Sequence, residues 1–118
     1  MALLKLESVD LAPDIGCIRV HGEVDSSNVL TMKDGFDQFF ARKIYKIVVN
    51  LSDAKYVSST GVGCVIGAYT TTIKNNGRLV FCSTPLQILE IFRVIGLGQI
   101  LRFAKDEASA LDEFSETE

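Results

Sequence analysis

The run at residues 45–52, YKIVVNLS, sets the tightest limit on what this chain can fold into. Ile47, Val48 and Val49 are consecutive and β-branched, and polar residues border the run. Branched side chains suit the pleated backbone, and neighbouring residues of a strand point to opposite faces. A strand of this kind needs apolar cover on both sides, as in a parallel sheet packed against helices. The remaining sequence must therefore supply neighbouring strands and helical layers.

It does so in a regular order. Residues 3–11, LLKLESVDL, and 17–24, CIRVHGEV, alternate apolar and polar positions. Pro13, Asp14 and Gly16 lie between them as turn formers, which predicts a hairpin. Ser26 or Ser27 is expected to cap a first helix, since a serine hydroxyl accepts from a free first-turn amide. Val29, Met32, Phe36, Phe39 and Phe40 follow at helical spacing, interrupted but not abolished by Gly35. A second helix is predicted from Val62, Val65, Ile66, Tyr69 and Ile73 on one face, ended by NNG at Gly77. Gly63 and Gly67, four apart, are expected to let it approach the sheet closely.

RLVFCS, residues 78–83, reads as the next strand. Thr84 is expected to cap a third helix with Pro85 at its first position and Gly96 just past its end. Leu86, Ile88, Leu89, Ile91, Phe92, Val94 and Ile95 exceed one narrow stripe, which predicts burial on two sides. An exposed patch for a partner or a second copy is the alternative. ILRFA, residues 100–104, is a last strand, and residues 106–114 a closing helix capped by Asp106, with Ala108, Leu111 and Phe114 inward. The tail at 115–118 is expected to fray. The order β-β-α-β-α-β-α-β-α predicts an α/β fold: a mixed, largely parallel sheet packed against about four helices.

Bulk properties narrow the function classes. A chain of 118 residues, 47% apolar, fits one domain over residues 1–118 with an ordinary core. Its net charge of -3 gives no support to nucleic-acid binding, which calls for a basic face. Cys17, Cys64 and Cys82 are odd in number, unevenly spaced and set in apolar runs, so buried thiols in a reducing compartment are expected. The start, MALLKLESVD, lacks a secretory pattern, and no window reaches the ~20 apolar residues of a membrane span. The expectation is a cytoplasmic chain without membrane insertion.

Catalytic patterns fail one by one. A nucleophile elbow needs glycine two before and two after the serine; around Ser59 those positions hold Val57 and Gly61. His21 is the single histidine and reads as structural, and no cysteine–histidine spacing makes a zinc site. Gly61, Gly63 and Gly67 resemble a relaxed dinucleotide loop, but Ile66 stands where glycine is required and FCSTP carries no ribose-binding acid. No enzyme activity, cofactor or metal is expected. What remains is VSSTGVG at 57–63, three hydroxyls in a row before an apolar helix. Ser59 or Thr60 as a helix cap, worth ~1 kcal/mol, uses one hydroxyl and leaves the others unexplained.

These segments together resemble a STAS domain of the bacterial anti-sigma factor antagonist family, over nearly the whole chain. GEVD is similar to the family's Gly-Glu-hydrophobic-Asp. VVNLSDAKYVSSTGVGCVIGAY resembles its central strand, loop and helix with the Asp-Ser-Ser/Thr-Gly-Leu-Gly signature. NNGRLVFCSTPLQILEIFRVIGLGQILRF resembles the following turn, strand, proline-led helix and Gly-Leu end. The resemblance implies no catalysis by the domain. It implies a binding module whose Ser59 is phosphorylated by a serine kinase that is also the anti-sigma factor, with a phosphatase reversing the mark. Unphosphorylated, it would hold that kinase and release a sigma factor. Ser58 stands where aspartate is usual, so Ser58 and Thr60 remain alternative acceptors. The implied partner surface is Glu23, Asp25, Ser26, Ser58, Ser59, Thr60, Gly61 and Gly63. Other STAS domains work without phosphorylation, as scaffold subunits or transport accessories, and that is the alternative function.

Overall fold

The computed structural model describes residues 3–115; of the tail at 115–118 expected to fray, Ser115 ends the last helix and residues 116–118 lie outside the described residues. The elements follow the predicted order: β1 (Leu4–Ala12), β2 (Ile15–Val24), α1 (Val29–Ala41), β3 (Lys46–Val57), α2 (Ser59–Lys74), β4 (Arg78–Cys82), α3 (Leu86–Val94), β5 (Arg102–Ala104) and α4 (Glu107–Ser115). One sheet has the spatial order β1-β2-β3-β4-β5. β1 and β2 form the antiparallel hairpin, and every later pairing is parallel.

β3 runs through the centre. Ile47, Val48 and Val49 are each 0% exposed, because alternate residues meet different layers. Ile47, Val49 and Leu51 pack with Phe36, Val65 and Phe92, from α1, α2 and α3. Val48 packs on the other side with Cys17, Val80, Cys82, Ala110 and Phe114 beneath α4. Phe81, Phe92 and Phe103 form an aromatic cluster with ring centroids 5.4 to 5.9 Å apart, tying α3 to β4 and β5.

Tertiary contacts moved several local features from their expected places. β3 extends to Val57, through residues expected to be loop, because Asp53, Ala54, Tyr56 and Val57 pair with the outer half of β2 across two register shifts. Neither Ser26 nor Ser27 caps α1; Asn28 holds the cap position and its side chain makes no cap bond. α2 buries Gly61, Val62, Val65, Ala68 and Thr72, so Ile66 and Ile73 turn outward instead. The glycine that meets the sheet is Gly61, where an added Cβ would stand 2.8 Å from Val57 Cγ1 and 2.9 Å from Val24 Cγ1. Around Gly63 and Gly67 a Cβ would meet nothing within 4 Å, which overturns their expected role in close approach.

α3 is not buried on two sides. Ile88 and Phe92 are its buried residues, whereas Leu86 is 70% exposed, Val94 82% and Ile95 51%. Sheet contact covers a single face of the helix, so the expected two-sided burial gives way to exposed apolar residues on its other side. Pro85 occupies the cap position rather than the first helical one, and Thr84 makes no cap bond. Gly96 follows the helix at φ 85, a left-handed backbone that suits glycine. Asp106 caps α4 as expected, its carboxylate accepting from the Ser109 amide at 2.8 Å. Ala110 and Phe114 are the buried residues of α4, while Ala108 is exposed, one position out of the expected register.

Candidate functional site

The site is built where β2 and β3 end together. Val24 pairs with Val57, and the Ser58 amide donates to the Val24 carbonyl at 2.8 Å. The loop after β2 and the start of α2 therefore leave from paired strand ends, with Asp25 and Ser58 as the first residues beyond them. This is the carboxyl edge of a parallel sheet, where ligand sites of open α/β folds gather.

Ser58 caps α2. Its backbone is extended (φ -78, ψ 173), and its Oγ accepts from the Gly61 amide at 3.3 Å. The expected cap residues, Ser59 and Thr60, are thereby left free of that task. Both are exposed, on the first turn of the helix. Gly61 is buried against Val24 and Val57, and the lack of a side chain there is what lets the first turn sit on the sheet edge. No acidic residue lies in that turn, and the cap is a neutral hydroxyl. The positive end of the helix dipole consequently faces solvent beside Ser59 without a negative neighbour in the turn.

The adjoining loop is held by its own side chains. Asp25 Oδ1 accepts from the Ser27 amide at 2.9 Å and from the Ser27 hydroxyl at 2.6 Å. These bonds, the hydroxyl's first, hold the Asp25 carboxyl below the usual carboxylate range, so it is ionised at neutral pH. Asn28 works in both directions: its Oδ1 accepts from the Asp25 amide and its Nδ2 donates to the Glu23 carbonyl, each at 2.9 Å. Glu23 and Ser26 are exposed. Glu23, Asp25, Ser26, Ser58, Ser59, Thr60 and Gly61 thus gather at one sheet edge. Gly63 stands one turn along α2, on a face that opens toward α1.

Two contributors escaped the sequence reading. Asn28 clamps the loop, and its signal was present as the last of a string of potential capping residues, DSSN. Tyr56 pairs with Glu23 across the strands and is exposed; alternation would have placed it with the buried Ala54, and the register shift between Gly22 and Glu23 turns it outward.

The histidine and two of the three cysteines, Cys17 and Cys82, lie away from this edge, while Cys64 is half-buried on α2. His21 Nδ1 lies 2.7 Å from Asp53 and Nε2 3.5 Å from Glu7, so both ring nitrogens are engaged away from Ser59. The Asp53 bond raises the His21 pKa above its ordinary value, with Glu7 adding to it. All three cysteines are free thiols. Burial pushes Cys17 up to about 12 and Cys82 to about 11, which keeps both protonated and unreactive. Among the described residues, no group of three or more His, Cys, Asp or Glu could hold a metal ion, and no helix is long and apolar enough to cross a membrane.

The fold has counterparts among known proteins. The family model for the STAS domain matches residues 8–110. An anti-sigma-B factor antagonist of Listeria monocytogenes is 23% identical over 90 residues, spanning 76% of this chain and 79% of the relative. The anti-sigma factor antagonist SpoIIAA in its unphosphorylated form superposes with a TM-score of 0.82 at 21% identity, over 95% of this chain and 97% of that one. The phosphorylated form of the Bacillus cell fate determinant SpoIIAA superposes with a TM-score of 0.74 at 22% identity, over 93% and 99% of the two chains. At such identities the structural likeness is one of fold.

Proposed function

The chain belongs to the STAS domain family, and from that premise we propose that it is an anti-sigma factor antagonist switched by phosphorylation of Ser59. Unphosphorylated, it binds an anti-sigma factor that is also a serine kinase, and so frees a sigma factor to direct transcription. A phosphatase restores the binding form. The chain itself catalyses nothing in this reading; it works in the cytoplasm, through protein contacts rather than nucleic acid or membrane. The names of its relatives support the partner class. The observation that carries the proposal is the exposed Ser59 hydroxyl on the first turn of α2, relieved of capping by Ser58.

The physical sequence is short. A kinase reaches Ser59 without unfolding the chain. The phosphoserine brings about -1.5 to -2 charges at neutral pH to a helix start whose free amides tolerate an anion. The fold survives, while a partner surface shaped around a neutral hydroxyl beside the Asp25 carboxylate now meets added negative charge and volume. Like-charge contact at an interface costs several kcal/mol, on the order of a thousandfold in affinity. Binding is lost without refolding.

The test is incubation with ATP and each purified anti-sigma factor kinase of the source genome, followed by mass spectrometry. One phosphate on Ser59, absent from Ser59→Ala, is the expected result. Equal labelling of Ser59→Ala would move the mark to Ser58 or Thr60 and overturn the assignment. A second reading, an unphosphorylated scaffold subunit, draws on serine at 58 and on the exposed Leu86, Val94 and Ile95 of α3. It predicts no labelling by any of these kinases and self-association that Val94→Asp abolishes.

A further inference from the structure

Beside the Ser59 turn, α1 and α2 frame a groove of about 440 Å³ that the fold leaves unfilled. Val29, Leu30 and Phe40 form the α1 wall, and Thr60, Gly63 and Gly67 line the α2 side. Neighbouring helices ordinarily close such a seam by interdigitating side chains. Here the seam stays open because Gly63 and Gly67, on successive turns, present no side chain, and nothing stands within 4 Å of where a Cβ would be. Neither glycine adopts a positive φ, and neither relieves a close contact. Glycine is a poor helix former, so two of them in one helix, unused by the fold, call for another user.

The position of the groove says what that user is. Thr60 borders it at the end where Ser59 stands, so the groove continues the surface at which phosphorylation acts. That surface is polar: hydroxyls, the Asp25 carboxylate and the Glu23 side chain. A polar lip gives control, whereas affinity at protein interfaces comes mainly from apolar anchors seated in pockets near a polar rim. The groove has this anatomy. Leu30, 69% exposed, stands at its edge, and the Lys33–Asp37 ion pair, at 2.6 Å, runs along its α1 rim.

We infer that the α1–α2 groove receives one or two apolar side chains of the same anti-sigma factor kinase whose access Ser59 controls. The inference rests on the function proposed above and adds to it the place where binding strength is made. Phosphorylation then acts at the rim of a docked segment, and Gly67, outside the VSSTGVG stretch, is a specificity position.

Titration calorimetry with the kinase that labels Ser59 tests it. In Gly67→Leu the new side chain enters open space, so the thermal melt should be equal or higher, while affinity falls at least tenfold. Leu30→Ser, a surface change, should lower affinity at least fivefold and leave the melt in place; it carries the test should Gly67→Leu misfold. Wild-type affinity in both folded variants, alongside lost binding in Ser59→Asp, overturns the groove assignment and leaves the function standing. No binding by the wild-type chain sinks the function and this inference together. A dimer in light scattering that Gly67→Leu dissociates, with kinase affinity unchanged, gives the groove to a second copy and also overturns the inference. So does a small apolar compound that native mass spectrometry finds on the wild type alone.

Discussion

Two helices of this protein start at the carboxyl edge of the sheet with a hydroxyl residue just ahead of them, and the starts are unlike. At α2, Ser58 adopts an extended backbone and bonds the Gly61 amide, while Gly61 seats the turn against Val24 and Val57. At α3, β4 leaves through Ser83 in the left-handed region (φ 54), Pro85 takes the cap position, and the Thr84 Oγ1 is buried with no hydrogen-bond partner among the described residues. The Pro85 carbonyl accepts from the Ile88 and Leu89 amides, and the missing proline N–H leaves one less donor to satisfy. The same residue types thus yield an exposed, neutral helix start capped by its own hydroxyl in one place, and a start without any side-chain cap in the other. What separates them is whether the hydroxyl faces the helix amides or the interior.

Measurements can break this contrast or sharpen it. The largest effect should come from charge at the open start. Ser59→Asp should weaken kinase binding by several kcal/mol, on the order of a thousandfold, with a nearly unchanged melt by circular dichroism. Undiminished binding would leave the α2 start with no more functional weight than the α3 start. Next comes Gly61→Ala, whose methyl group meets Val57 and Val24 at 2.8 and 2.9 Å. Overpacking there should lower stability by about 1–3 kcal/mol in urea unfolding, while Gly63→Ala, in open space, should not lower it. Equal effects would deny the close seating of this turn.

Smaller effects distinguish the hydroxyls. Thr84→Val keeps the shape and removes an unpaired buried polar atom, so stability should rise by about 1 kcal/mol. Ser58→Ala should instead lower it by about 1 kcal/mol, through loss of the cap. The opposite signs are the point: if both variants are destabilised, Thr84 has a partner after all.

The smallest effect lies away from both starts. The His21 pKa is raised, chiefly by its bond to Asp53, so its contribution to stability is complete below the ordinary histidine value near 6.5 and declines as pH rises through the elevated folded value. The melting temperature should slip slightly between pH 6 and 8 in the wild type. His21→Gln should flatten that slope without altering Ser59 labelling.

How far the sequence was legible depended on the range of the forces involved. Element order, hairpin, parallel pairing and the Asp106 cap were readable because alternation, helical spacing and turn residues act over a few positions. The reading erred where one local motif had two satisfactory partners. In DSSN, four residues can cap a helix, and Asp25, Ser27 and Asn28 bond within the loop instead. In VSST, three hydroxyls compete for one cap, and the strand pairing of Val57 with Val24 selects Ser58. Ile66 and Ile73 of α2, and Leu86 and Val94 of α3, are apolar at helical spacing yet exposed, since periodicity tells which residues share a face and not whether anything covers it.

Two levels of determination therefore meet in this molecule. The amino-acid order alone determined an α/β chain with a doubly buried central strand and a hydroxyl-rich, glycine-bearing helix start, because those features follow from steric and hydrophobic preferences of neighbouring residues. Tertiary structure decided which serine caps and which is left in solvent, that Gly61 meets the sheet while Gly63 and Gly67 open a groove, and that α3 keeps an uncovered face. These choices depend on contacts between segments distant in sequence, whose energies are comparable and whose winner is set only when the strands pair.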